Sequence, residues 1–132
     1  MTFEELDQRF PNGLDDAEIS GLTVDYRERT ARSQMNMRGN LPDSPDAKEY
    51  RPATLTVRRF YYFSIEAPDA DRLHSHDSKI TVDGLPEDPI NFPLFERLKS
   101  KLPVGAFCCR LFVHDWNSFI NIAAKDAEFS WI

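Results

Sequence analysis

The last quarter of the chain alternates, and that alternation limits what it can fold into. From Val104 to Ile132, the residues Phe107, Cys109, Leu111 and Val113 are interleaved with neighbours of the opposite parity. Ser118, Ile120 and Ile122 resume the pattern after His114-Asp115-Trp116-Asn117, and Ala127, Phe129 and Trp131 carry it beyond Lys125-Asp126. A period of two places alternate side chains on opposite faces of an extended backbone. The segment therefore predicts three short strands in an antiparallel meander with one buried face, the second turn falling at Lys125-Asp126.

Earlier stretches give the same reading. Ile19 to Tyr26 sets Leu22, Val24 and Tyr26 on one side. Thr30 to Arg38 opposes Ala31, Ser33, Met35 and Met37 to Arg32, Gln34, Asn36 and Arg38, and the intervening Arg27-Glu28-Arg29 suits a hairpin. Ala53 to Glu66 is long for one strand, and the Arg58-Arg59 pair in its middle predicts a bulge or bend. A short strand is expected from Lys79 to Val82. Two helices complete the set. One opens on Thr2 with Glu5 as the second half of a capping box and has Phe3, Leu6 and Phe10 on one face. The other carries Phe92, Leu94, Phe95, Leu98 and Leu102 at helical spacing and closes at Pro103. Breaker-rich loops are expected at 39–52 and 67–91. The fold class that results is mainly β, at the margin of α+β. It is an antiparallel sheet or two-layer sandwich of about six to eight strands with two short helices, in a single domain over residues 1–132.

A chain of 132 residues with 41% hydrophobic content can bury one core without disulfide or metal staples. Adjacent Cys108 and Cys109 point to opposite faces of a strand and are poor partners for each other, which suits a reducing compartment. The acidic start Met1-Thr2-Phe3-Glu4-Glu5 lacks the basic and apolar regions of a signal peptide, so a cytoplasmic location is expected. The net charge of −6 is uneven: residues 1–26 and 60–91 are acidic, and 27–59 are basic. Acidic surfaces have the wrong sign for nucleic acid or anionic membranes and the right one for a basic protein partner.

Catalytic constellations are thin. There is no G-x-S-x-G, P-loop, G-x-G-x-x-G or H-E-x-x-H pattern. No cofactor is expected, and a binding protein is expected rather than an enzyme. Asp15, Asp16 and Glu18 offer grouped carboxylates, and Tyr62 and Trp116 are aromatic residues on the face opposite the expected core. These five are the candidate partner-binding residues. An alternative reading is a metal-binding protein or metal-dependent hydrolase. His74, His76 and Asp77 set imidazoles and a carboxylate side by side, with His114 as a further ligand. Cys108 next to Arg110 reads as the more reactive thiol, and Cys109 as a buried small hydrophobe. A small-molecule cavity between the sheet and the helix at 92–102 is a third reading, and an edge strand could pair two copies into a homodimer.

Two blocks carry a resemblance. Leu14-Asp15-Asp16-Ala17-Glu18-Ile19, followed by Leu22, Val24 and Asp25, is similar to the opening of a group of small bacterial β-rich proteins that begin with a His-Asp-Ala-Glu-Ile type motif. Some of these are classed as immunity proteins of polymorphic toxin systems. The ending His114-Asp115-Trp116-Asn117-Ser118-Phe119-Ile120 resembles their final hairpin, and Asp15 stands where that group has His. The resemblance implies a single-domain cytoplasmic protein that acts by binding a protein partner, as the immunity proteins of that group do with their toxins, and not by turning over a substrate.

Overall fold

The alternating stretches become six antiparallel strands in the computed structural model, which describes residues 1–39, 45, 49–72, 79–86 and 93–132. They are β1 (Ala17–Asp25), β2 (Thr30–Arg38), β3 (Tyr50–Ile65), β4 (Ile80–Pro86), β5 (Phe107–Val113) and β6 (Ser118–Trp131). Two short helices, α1 (Phe3–Asp7) and α2 (Pro93–Lys99), accompany them. The mainly β class holds, but the arrangement is more specific than a sandwich. The strands follow the order β1-β2-β3-β6-β5-β4, and β4 returns to β1 to close a barrel.

Closure has a local cause. β3 and β6 pair from Ala53–Trp131 to Ile65–Ile120, and both bend at the same place. Val57 opposes Ala127 and Phe60 opposes Ala124, all four buried. Between them lie two residues on each strand, Arg58-Arg59 and Lys125-Asp126, where the inward parity switches. Arg59 takes φ +53°, and the register shifts between Phe60 and Tyr62. The expected turn at Lys125-Asp126 is thus a bend inside one 14-residue strand. A charged pair in an apolar run reads as a turn, but here it answers the bend at Arg58-Arg59, with Arg58 opposite Asp126. A second irregularity, between Ile19 and Gly21, bends β1. Long strands bent in this way curl a single sheet until its edges meet, so one inner face replaces two facing layers. The closing seam is short: Ala17, Glu18 and Ile19 pair with Val82, Thr81 and Ile80.

The predicted inner parities of β2 and β5 fill the interior, while Tyr26, expected on the inner side with Leu22 and Val24, is exposed beyond the end of β1. Ala31, Met35, Met37, Leu55, Leu111 and Ile122 are among the buried residues of one core cluster. Alanines at 31, 53, 124 and 127 make room for the larger side chains opposite, as a small barrel needs. The β1–β2 hairpin is held by Asp25, whose Oδ1 accepts the N–H groups of Arg27 and Glu28, while Arg29 takes φ +54°.

One end of the barrel is plugged. Thr2 and Glu5 form the expected capping box and start α1. Its Phe3 and Leu6 are fully buried, joined by Leu14. Burying each of these side chains contributes about 1.5–3 kcal/mol. The plug fits because Gly84 of β4 has no Cβ; one there would stand 2.9 Å from Leu14 Cβ and 3.1 Å from Phe3 Cζ. α2 lies outside, where Leu98 and Leu102 cover Cys108 and Ala123.

Candidate functional site

The turn from α1 into β1 carries the acids that the sequence singles out. Asp7 Oδ1 accepts the N–H of Leu14 at 2.8 Å, and a Cβ on Gly13 would lie 2.5 Å from that same oxygen, so only glycine fits there at φ +57°. The chain then reaches Asp16, itself at φ +56°, whose N–H donates to Asp83 Oδ1 at 3.0 Å. The other oxygen of Asp83 stands 2.7 Å from His114 Nε2.

Strand register explains that contact. Asp83 pairs with Phe112 across β4 and β5, and His114 lies two residues beyond Phe112, the diagonal position on the same face. The His114 N–H donates to Thr81 O, and the turn that follows is pinned by Asp115 Oδ2, which accepts the N–H of Thr81 at 2.7 Å. Donor atoms of Asp16, Asp83 and His114 all lie within 4.8 Å of one another. Arg38 reaches Asp16 Oδ2 at 3.7 Å and lies over the Tyr50 ring, whose hydroxyl donates to Asp16 O at 3.1 Å. Burial pushes the Asp15 carboxyl above its ordinary pKa, with the charges of Asp83, Asp7 and Asp16 adding to the rise and His114 opposing it.

At the barrel end away from α1 the interior opens. A cavity of about 310 Å³ is lined by Ile19, Leu22, Ile65, Ile80, Trp116 and Ile120, with Lys79 at its lip. Ile65 faces inward by register, opposite Ile120, yet is 48% exposed. An inward apolar residue left half exposed marks an unfilled mouth. Along β4, Ile80 of this mouth and Asp83 of the acidic cluster are about 10 Å apart at the usual rise per residue.

The structure distributes the predicted site residues unevenly. Asp15 and Asp16 join the acidic cluster, and Trp116 lines the mouth. Glu18 is buried at the β1–β4 seam, where it forms an ion pair with Lys79. Tyr62 faces outward but is half-buried, packing with Leu98 and Leu102 against Cys108 and Ala123. His114 meets Asp83 and Asp16, while His74, His76 and Asp77 lie outside the described residues.

Neither cysteine is exposed. Cys109 points into the barrel, and burial, with Cys108 beside it, pushes its thiol pKa well up. Cys108 is also buried, contrary to its reading as the reactive thiol, because α2 covers that face. Arg110 is directed elsewhere: its Nε donates to Asn121 Oδ1 at 2.9 Å, and its guanidinium lies 3.6 Å over the Phe119 ring.

Asp83 is the residue that sequence reasoning missed. Its segment reads as a polar loop with a strand ending at Val82, whereas β4 continues to Pro86. The signal available was the alternation Ile80-Thr81-Val82-Asp83, which sets Asp83 on the polar face before Gly84 and Leu85 break the pattern.

Among the described residues no helix is long and apolar enough to cross a membrane. No protein-family model and no curated protein sequence matches the chain. Among solved structures it is similar to an uncharacterized protein from Neisseria gonorrhoeae, with 9% identity over 88% of this chain and 91% of that one, at a TM-score of 0.43.

Proposed function

We propose that this barrel is a non-catalytic binding module for a protein partner with a basic surface. The observation that carries the reading is the open apolar mouth at Ile65, Trp116 and Ile120 beside the acidic turn of Asp15, Asp16 and Asp83. Protein interfaces concentrate their energy in an apolar anchor seated in a pocket, and a polar rim sets orientation and encounter rate. The mouth offers the pocket and the acidic turn the rim. Neutralising a toxin, the role of those members of the resembling group that are classed as immunity proteins, is one form such binding takes.

A pull-down from the native host at low and high salt, with mass spectrometry of the retained proteins, tests the reading. The wild-type chain should retain one stoichiometric basic partner that weakens as salt rises. Ile65→Asp places a charge in the mouth at an already half-exposed position, and it should abolish retention. Asp15→Asn combined with Asp16→Asn should weaken retention and flatten its salt dependence. Retention unaffected by both sets of changes would refute this surface, and an empty column would argue against a constitutive partner in that host.

A further inference from the structure

We infer that Asp16, Asp83 and His114 form a divalent-metal site of the zinc class, independent of any protein partner. The argument starts from donor chemistry. One imidazole and two carboxylates whose ligating atoms lie within 4.8 Å of one another make a mixed nitrogen–oxygen set. Such a set suits zinc and similar first-row ions; calcium and magnesium prefer oxygen donors alone.

The three donors come from three different places in the chain: the turn before β1, the middle of β4 and the turn after β5. Each is fixed through its backbone by strand pairing or by a hydrogen bond. Asp83 pairs with Phe112, His114 N–H bonds Thr81 O, and Asp16 N–H bonds Asp83 Oδ1. The set is therefore held in place without an ion.

The adjustment that an ion requires of His114 and Asp83 is small, whereas the Asp16 carboxylate, with donor atoms of the set up to 4.8 Å apart, has to swing inward. His114 Nε2 and Asp83 Oδ2 stand 2.7 Å apart. Zinc–nitrogen and zinc–oxygen bonds of about 2.0–2.2 Å in tetrahedral geometry need those two atoms about 3.3 Å apart. The ion would sit between these two atoms, and the side chains would part by about 0.6 Å, within the freedom of two partly exposed groups. Asp16 completes a third position, with Arg38 steadying its carboxylate through Oδ2 at 3.7 Å. A fourth position remains for water or an external ligand. The site differs from the one the sequence suggests: His114 is shared, but its companions are Asp16 and Asp83.

Calorimetric titration of the purified, chelator-treated protein with zinc chloride, and separately with calcium chloride, tests this. One equivalent of zinc should bind, and calcium far more weakly. His114→Ala and Asp83→Asn should each weaken zinc binding about tenfold or more. Both variants should keep the wild-type circular dichroism spectrum, since His114 is exposed and asparagine preserves the oxygen that accepts from Asp16 N–H. No zinc uptake, or uptake that survives both substitutions, would overturn the site; so would calcium binding as tight as zinc, the mark of a diffuse acidic surface. Because the probe is the metal alone, these outcomes are separate from success or failure in capturing a protein partner.

Discussion

Asp15 shows how a single residue reports its surroundings. Its carboxyl is held above the ordinary value of 3.8, chiefly by burial and then by its acidic neighbours. In the fold the ionised form is the disfavoured one, so the penalty is absent below the unfolded pKa and complete above the folded one. Asp15→Asn should raise the melting temperature at neutral pH, and the gain should vanish by about pH 3. A gain that persists unchanged into acid would mean that it does not come from this carboxylate. Gly84 is the second informative position. A methyl group there meets Leu14 and Phe3 at 2.9 and 3.1 Å, so Gly84→Ala should cost about 1–3 kcal/mol in a denaturant titration. Nothing in the local sequence marks Gly84 as special. The residues it must admit lie far away in the chain, and only the closed barrel brings them together.

At the scale of elements, the two adjacent arginines of β3 separate backbone from side-chain effects. Arg59 holds a left-handed conformation at the corner, whereas Arg58 pairs with Glu128 at 2.9 Å on an exposed face. Arg59→Gly should leave stability unchanged or raise it by up to about 1 kcal/mol, because a left-handed L-residue costs roughly 1–2 kcal/mol and glycine gives part of that back as unfolded-chain entropy. Arg58→Gly should lower stability by about 0.5–1 kcal/mol, the usual cost of glycine inside a strand. Equal and negative effects at both positions would show that the corner is not set by Arg59. The bend was legible in the sequence as a charged pair within an apolar run. Its counterpart at Lys125-Asp126 was not, since the same signal there reads as a turn until the partner strand is known.

At the scale of the molecule, the helices decide what the barrel exposes. α1 closes one end, and the other stays open around Ile65 and Trp116. α2 covers Cys108 while the barrel encloses Cys109. Thiol labelling of the native protein should therefore be slow at both cysteines and faster at Cys108, because α2 can lift without opening the barrel. Leu98→Ala should speed labelling of Cys108 alone. Comparable acceleration of Cys109 would mean that α2 supports the whole barrel. Of the proposed binding surface, Asp15, Asp16 and Trp116 could be read from the chain, as acids in a turn and an aromatic at the wrong parity for the core. Ile65 could not, because its parity marks it as interior and only the open mouth leaves it half exposed.

The sequence by itself determined the class of this protein. Period-two alternation, a capping box and breaker-rich loops are local properties, written within a few residues of where they act. They name most of the strands and, in β2 and β5, the side that turns inward, whereas in β3 the bend buries Phe60 and leaves Tyr61 exposed. The tertiary structure alone decided that the sheet closes into a barrel, that Lys125-Asp126 is a bend, and that Asp16, Asp83 and His114 converge. Each of those depends on which strand lies beside which and in what register. Pairing between β1 and β4 joins residues more than sixty positions apart, and no local periodicity encodes that choice.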